Sequence, residues 1–385
     1  MLLMAVLARP SLDVWYGPNP FQHTTSLRSG HSRDLRARPD FYPNVLQPAM
    51  SWPDLAKRTG VFKIFLDMLY TGISTDAQLI GLIGVVQQQG LRTGIEVGGA
   101  RWGAGRCNLT TALAYATIEQ RDVARWLSLG GRIDSLSTDH ADVWNVRGGS
   151  GPLCEPPIPM ADRIEVVAQV FASWRRFLGA EASLGFIESL GFWDIEGPDG
   201  KSYKNTEPAV FSKIDGWIPR LEDVTSRLLD AAKRHNPVPG TPLLDHYLID
   251  YGLEGVEYDT HTYGPSPTGG LNYGRVLGAE AIMHRHGLRT GVMMNAFADR
   301  SLNCSAAFAR CSASAALRTL EYTQGYMRLP SRLSEHAVLE QWQPHPNTTG
   351  PASLPYSGMW MASAGAAAVS CEAFACDLSE TRSAS

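Results

Sequence analysis

The stretch that decides the fold reads VFKIFLDML from residue 61, TDAQLIGLIGVVQQQG from residue 75 and LRTGIEVGG from residue 91. The first and third segments are short, apolar and rich in β-branched or aromatic residues, which is typical of strands. The middle segment begins with a residue that can cap a helix, Thr75, and ends at Gly90, a common helix stop. The stretch therefore predicts a strand, a helix and a second strand.

The same alternation continues along the chain and gives eight candidate strands with helical segments between them. Eight such units predict a closed (β/α)8 barrel, an α/β fold with right-handed crossovers. An open doubly wound sheet would usually show a GxGxxG loop straight after a strand, and GGARWGAG at 98–105 lacks that spacing. The candidate strands lie in LDVWYGP (12–18), VFKIFLDML (61–69), LRTGIEVGG (91–99), RIDSLSTDHAD (132–142), ASLGFIES (182–189), GVEYDTHTYG (255–264), LRTGVMMNAF (288–297) and HAVLEQWQPHP (336–346).

The 385 residues would suffice for two or three domains, but α/β barrels commonly exceed about 250 residues as one domain. We therefore expect one barrel domain over residues 1–360 and a tail at 361–385 with room for a final helix. Long irregular segments follow predicted strands near 17–50, 140–160 and 189–215. Because the loops after the strands build the functional face of a barrel, this asymmetry predicts a site there.

Composition and charge exclude several partners. The 34 Lys and Arg residues are scattered and the formal net charge is −4, so no surface for nucleic acid is expected. The opening MLLMAVLA is too short for a membrane span and incomplete as a signal peptide. No CxxC or Cys/His ligand spacing occurs, so neither a metal nor another cofactor is expected.

Cysteines and sequons favour a secreted or periplasmic protein over a cytoplasmic one. The chain has 6 Cys, which can pair as disulfides. Asn-x-Ser/Thr triplets start at Asn108, Asn303 and Asn347. The oligomeric state is not indicated by any pattern in the sequence.

Six of the candidate strands end on a carboxylate, each after a short apolar or β-branched run. A parallel barrel delivers the carboxyl ends of its strands to one mouth, so these acids are expected to converge into one cleft. The six are Asp67, Glu96, Asp139, Glu188, Asp259 and Glu340.

Two carboxyl groups at a controlled separation are what cleavage of a glycosidic bond requires. One protonates the departing oxygen, and the other attacks the anomeric carbon or activates water. The segments VWYGPN, GIEVGG, STDHAD, FIES, VEYDTHTYG and LEQWQPHP, spread over residues 12–346, resemble the layout of TIM-barrel glycoside hydrolases. The resemblance implies a hydrolase that acts on an oligo- or polysaccharide. The Asn-Glu-Pro motif of many retaining members does not occur in this sequence.

The resemblance also implies a catalytic pair, Asp139 on the fourth strand and Glu188 on the fifth. The apolar GFI before Glu188 limits its solvation and favours the protonated form of a general acid. Asp139, in the polar STDHAD segment, suits the ionised base or nucleophile. Asp139 with Asp259 is the alternative pair.

The remaining strand-end acids, histidines and aromatic residues are expected to bind the sugar. Carboxylates and imidazoles can bond to hydroxyl groups, and tryptophan faces suit the C–H faces of pyranose rings. The predicted binding residues are Glu96, Asp259, Glu340, His140, His261, Trp15, Trp102 and Trp342.

Other interpretations stay open. Asp67 and Glu96 can form structural ion pairs with Lys63, Arg92 or Arg101 around the rim. A sugar isomerase or epimerase barrel would use the same acids and histidines to hold a divalent metal. A carbohydrate-binding barrel without catalysis would share the layout. An aldolase needs a lysine at a strand end, whereas Lys63 lies inside the second strand.

Overall fold

The computed structural model shows a closed barrel of eight parallel strands with helices around it, which confirms the predicted (β/α)8 fold. The structure describes residues 12–18, 39–98, 108–139, 159–204, 220–266, 269–296, 308–340, 353 and 357–370.

The barrel strands form one hydrogen-bonded cycle. They are β1 (Asp13–Gly17), β2 (Thr59–Phe65), β3 (Arg92–Val97), β4 (Ser135–Asp139), β5 (Ser183–Ser189), β8 (His246–Asp250), β9 (Arg289–Met293) and β10 (His336–Glu340). A short antiparallel hairpin in the segment after β5 is made by β6 (Ile195–Glu196) and β7 (Ser202–Tyr203). The cyclic order is β1-β10-β9-β8-β5-β4-β3-β2, with β1 and β10 paired in parallel at the closing seam. The predicted first and eighth strands are therefore confirmed.

Helices cover the outside of the barrel. They are α1 (Phe41–Val45), α2 (Pro48–Ser51), α3 (Pro53–Arg58), α4 (Asp76–Gln88), α5 (Leu109–Ser128), α6 (Met160–Leu178), α7 (Leu221–His235), α8 (Leu253–Tyr263), α9 (Gly274–Arg285), α10 (Phe308–Met327) and α11 (Gly358–Ser370). The helix α11 crosses residue 360, where we expected the barrel domain to end, and packs against α3 and α10. Among the described residues, no helix is both long and apolar enough to span a membrane.

Local sequence accounts for the first helix of the decisive stretch. The Thr75 side chain accepts a hydrogen bond from the backbone nitrogen of Gln78 at 3.2 Å. The Gln78 side chain in turn accepts one from the backbone nitrogen of Thr75 at 2.9 Å. This reciprocal capping box satisfies amide groups that the first turn leaves without helical partners. After α4 the chain turns at Gly90, whose φ of 66° suits glycine.

The sixth strand is the one that sequence reasoning assigned wrongly. We expected it in GVEYDTHTYG, but those residues belong to α8, and HYLID at 246–250 forms β8 instead. The buried residues of α8 include Leu253, Val256 and Asp259, a spacing of three that fits a helix. The strand HYLID was missed because both of its faces are buried, so it shows no polar alternation.

The apolar core has two parts, one inside the barrel and one between the sheet and the helices. The outer part is large and contains most of the buried aromatic residues. The inner part fills the middle of the barrel and is called the inner cluster below. It consists of Trp15, Val61, Ile187, Leu248, Met293 and Val338.

Glycines inside the barrel make room for rings on neighbouring strands. The Cβ that Gly94 lacks would lie 3.5 Å from the Trp15 ring. A Cβ at Gly185 would collide with the backbone oxygen and the ring of His246. The interior therefore alternates rings with positions that have no side chain, which keeps it closely packed.

Gly185→Ala is expected to lower the free energy of unfolding by about 1–3 kcal/mol, the usual cost of an overpacked core. Gly84→Ala is the matched control, because nothing lies within 4 Å of a Cβ at that position in α4. Removing glycine from the helix there should raise stability by about 0.5–1 kcal/mol. Urea unfolding of the two variants measures both values, and effects of the same sign would contradict this packing.

Candidate active site

Alternation along the strands decides which side chains reach the barrel mouth, the end where the strands finish. The residue two positions after each inner-cluster residue points into the mouth. This gives Lys63 on β2, Asp250 on β8 and Glu340 on β10. On β3 and β4 the residues two positions earlier also face the barrel interior, so Glu96 and Asp139 reach the mouth in the same way. These five residues are called the mouth cluster below.

Lys63 lies at the centre of the mouth cluster with its side chain 1% exposed. Its Nζ donates to Oε2 of Glu96 at 2.5 Å and to Oε2 of Glu340. The ammonium also lies 5.4 Å from the centroid of the Phe65 ring. A Cβ at Gly17 would lie 3.4 Å from Cγ of Glu340, so a larger residue there would crowd the pair. One buried cation thus joins acids from two strands.

The same surroundings make Glu340 an unusual carboxyl group. Its side chain is 2% exposed. Burial raises the pKa of Glu340 to about 8, with the Glu96 and Asp250 carboxylates adding to the rise and the Lys63 ammonium opposing it. For Lys63, burial lowers the pKa but the two glutamates outweigh it, so its pKa is raised. Lys63 is therefore a cation, and Glu340 can hold a proton near neutral pH.

A cavity of about 100 Å³ opens at the side of the mouth cluster. Glu96 and Asp139 both line it, so these two carboxylates share one space. Burial and the adjacent Asp67 carboxylate raise the pKa of Tyr70, which keeps that hydroxyl protonated. The other side chains of the wall are acidic, aromatic or aliphatic: Asp67, Glu119, Phe65, Tyr115, Leu66 and Val97.

Glu188 lies on the other face of the sheet. Its neighbour Ile187 belongs to the inner cluster, so alternation turns Glu188 outward, toward the helices. It is fully buried there, and its charge contributes to the raised pKa of Tyr247, after the larger effect of burial. The poor solvation expected for Glu188 is present, but its position at the mouth is not. The hydrophobic run before it could not show which face it would take.

Asp259 and His261 also lie away from the strand ends. Both are on α8, where His261 is exposed. Asp259 is fully buried, and Arg275 donates to its two oxygens at 3.0 Å each. The hydroxyl of Tyr251 donates to Asp259 at 2.9 Å. Because the predicted sixth strand is a helix, the cleft that we expected these two residues to join forms without them.

Trp15 belongs to the barrel interior and lies below the mouth. It is 3% exposed, and the rings of His246 and His336 lie 5.8 and 5.2 Å from its ring centroid. Its Nε1 donates to Oδ2 of Asp13 at 3.2 Å. In this structure Trp15 is a core residue, contrary to the expectation that it lies at the strand end. The predicted binding residues His140, Trp102 and Trp342 lie outside the described residues.

Sequence reasoning did not select two members of the mouth cluster as site residues. Asp250 ends β8 after the apolar run YLI, which is the same signal that identified the other acids. Asn295 donates to its Oδ1 at 3.4 Å. Lys63 was expected only as a structural partner of Glu96, and that ion pair is present.

Among the residues that the structure describes, no group of three or more His, Cys, Asp or Glu side chains has an arrangement that could hold a metal ion. Between Glu96 and Glu340 the positive charge is supplied by the Lys63 ammonium.

The closed parallel barrel and its acidic mouth define the class of the protein as a (β/α)8 barrel. No protein-family model and no curated protein matches the sequence. The chain is similar to a beta-glycosidase from Pyrococcus horikoshii, with 10% identity and a TM-score of 0.48 over 86% of this chain and 85% of that chain.

The chain is also similar to two further solved structures. A GH5_18 protein from Streptomyces cattleya in complex with GlcNAc has 10% identity and a TM-score of 0.46, over 94% of this chain and 80% of that one. An HpcH/HpaI aldolase from Desulfitobacterium hafniense has 10% identity and a TM-score of 0.31, over 86% and 85%.

Glu340→Gln is expected to change how stability depends on pH. Because the pKa of Glu340 is raised from 4.5 to about 8 on folding, its contribution to the free energy of unfolding falls as pH rises through that window. The stability of the variant relative to wild type should therefore be higher near pH 8 than near pH 5. Urea unfolding at both pH values measures this difference. The exposed Glu181, replaced by Gln, is the control, and a Glu340→Gln difference independent of pH would refute the assignment.

Proposed function

We propose that the protein is a glycoside hydrolase that uses Asp139 and Glu340 as its catalytic carboxyl groups. The observation that carries the proposal is the convergence of the mouth cluster. In the closed order β4 and β10 are four strands apart in either direction, so their terminal acids face each other across the mouth. Glu340 is buried beside Lys63, and Asp139 lines the open cavity. Two carboxyl groups in such different environments suit an acid and a base.

The chemistry assigns one step to each acid. Glu340 donates its proton to the glycosidic oxygen while the bond from that oxygen to the anomeric carbon breaks. Asp139 attacks the anomeric carbon, or takes a proton from the water that attacks it. A carboxyl separation of about 5–5.5 Å in the substrate complex would give retention of configuration, and about 6.5–9.5 Å would give inversion.

The cavity supports a carbohydrate as the substrate. Its carboxylates accept hydrogen bonds from hydroxyl groups, and the Tyr70 hydroxyl, which is hydrogen-bonded to Asp67, can accept another. Phe65 and Tyr115 add apolar ring surface, which suits the C–H face of a sugar. We infer that one sugar unit of an oligo- or polysaccharide binds here, with Asp139 beside it.

The pair Asp139 and Glu188, which the resemblance implied, stays a competing prediction. For Glu188 to act as the acid, a substrate would have to reach the outer face of β5, where Tyr247 and Phe186 pack at 4.7 Å between ring centroids. Glu340 is buried as well, but alternation along β10 directs it to the mouth, where it contacts Lys63. The geometry therefore supports Glu340 better.

Lys63 also bears on two other barrel chemistries. An aldolase that forms a Schiff base needs a neutral amine, whereas the carboxylates around Lys63 raise its pKa and keep it charged. A metal-dependent isomerase would place a divalent cation among the acids, and the ammonium of Lys63 lies between two of them. A hydrolase that needs only carboxyl groups fits this arrangement best.

Asp139→Asn and Glu340→Gln are each expected to lower kcat by about 10²–10⁴-fold, the usual contribution of a positioned acid or base. Glu188→Gln is the matched control and should keep near-normal turnover if it folds. The wild-type protein is first screened against natural oligosaccharides and polysaccharides by release of reducing sugar. Steady-state kinetics of the three variants then follow on the best unactivated substrate.

Each other outcome of this experiment has a definite meaning. Loss of activity in Glu188→Gln together with retention in Glu340→Gln would restore the pair Asp139 and Glu188. Loss of activity with a chelator, followed by recovery with added metal, would support the isomerase. Saturable binding of a sugar without turnover of any substrate would indicate a barrel that only binds carbohydrate.

We also propose that the protein is secreted or periplasmic. Cys311 on α10 is disulfide-bonded and fully buried, and disulfides persist mainly in oxidising compartments. Replacing Cys311 by Ser should lower the free energy of unfolding by about 2–5 kcal/mol. Treatment of both proteins with a reductant should abolish most of that difference. An unchanged difference after reduction would show that the bond does not contribute.

A further inference from the structure

The mouth cluster has more acids than cations. In the part of the chain that the structure describes, it holds four carboxyl groups and one ammonium, that of Lys63. Four ionised carboxylates so close together would repel one another, and those that are buried would also lose hydration. The position of the Lys63 ammonium therefore affects how readily a buried carboxyl group of this cluster releases its proton.

We propose that Lys63 is a positioning residue that holds the carboxyl group of Glu340 at the mouth and offsets the effect of its burial, so that Glu340 can release its proton there as well as hold it. This inference rests on the proposed function for its catalytic meaning, but the protonation of the two glutamates can be measured without any substrate.

Burial separates the roles of the two glutamates. The Glu96 side chain is 17% exposed, whereas that of Glu340 is 2% exposed. Water therefore reaches Glu96 more easily than Glu340, and burial opposes the charge on Glu340 more strongly. The Lys63 ammonium supplies the opposite charge that an ionised Glu340 requires there.

Contacts fix Lys63 where it acts on both acids. Two of its three N–H groups are directed to Glu96 and Glu340, which restricts rotation of the ammonium. The ring of Phe65 lies over the same ammonium and limits its access to water. Asp250 and Asp139 complete the charged groups that face the cluster from β8 and β4. The lysine thus holds Glu340 in one orientation and also sets the local charge.

Lys63→Met removes the positive charge at this position, and Lys63→Arg retains it. Methionine retains an unbranched apolar chain of similar length, so it removes the ammonium with little change in packing. An opposite charge this close changes proton affinity about tenfold or more. The carboxyl group of Glu340 should therefore bind its proton at least about tenfold more tightly in Lys63→Met, and close to normally in Lys63→Arg.

The measurement is an NMR titration of the full-length protein with ¹³C in its glutamate side-chain carboxyl groups. Glu340→Gln and Glu96→Gln identify the two signals. In wild type, Glu340 should titrate well above the range of an exposed glutamate. A wild-type Glu340 that titrates like an exposed glutamate overturns the inference even if Lys63→Met does not fold. An unchanged Glu340 titration in a folded Lys63→Met variant overturns it too.

Kinetics give the second reading once a substrate is known. In Lys63→Met the alkaline limb of the kcat profile should move to higher pH, whereas a merely structural role would lower kcat without moving the limb. Lys63→Arg should restore the position of the limb. If the titration behaves as expected but no glycoside is hydrolysed, the proposed function fails and the role of Lys63 stands. If hydrolysis depends on Asp139 and Glu340 while the titration is insensitive to Lys63, the proposed function stands and the role of Lys63 fails.

Discussion

Alternation of side chains along the strands of a closed parallel sheet is the constraint on which the rest of this structure depends. Closure leaves no free edge, and a shift of one residue would exchange every inward side chain for an outward one. The interior therefore has defined layers: rings near the amino end, the inner cluster in the middle and the mouth cluster at the far end. Lys63 and Glu340 meet in the last layer although 277 positions separate them in sequence.

Charged side chains are arranged differently at the two ends of the barrel. At the amino end, Asp13 pairs with Arg92 and Asp245 pairs with Arg289 at 3.1 Å. Burial raises the pKa of Asp245, but neighbouring hydrogen-bond donors and the Arg289 charge outweigh burial and hold this pKa at about 2. In the mouth cluster, whose members all lie in the described part of the chain, Lys63 joins two acids, and the pKa of Glu340 is raised to about 8. Ion pairs suit a scaffold, whereas a buried carboxyl group with a strongly raised pKa is typical of a site that does chemistry.

The sequence could predict the barrel and most strand ends, because a strand that finishes on an acid after an apolar run is visible locally. It could not predict which face of the sheet each strand-end side chain takes. Glu188 follows such a run as clearly as Glu340 does, yet it faces the helices, since both faces of a barrel strand are apolar and hydropathy carries no information on direction. Asp250 was overlooked because the four buried residues before it show no polar alternation that would mark a strand. The Lys63 contacts depend on three strands at once, and no local pattern encodes them.

Asp259, which we expected on the sixth strand, shows the role of an acid that lies outside the barrel interior. Asp259 and the Arg275 that binds it are fully buried. The same guanidinium donates to the carbonyl oxygens of Leu190, Trp193 and Lys204, at 3.2, 3.2 and 3.0 Å. These carbonyls belong to the segment after β5 that carries the small hairpin, so the ion pair fastens that segment to α8 and α9. A cation alone could not be buried there, because its charge would have no counterion. Inward acids thus supply the chemistry of the mouth, and this outward acid holds a segment next to it in place.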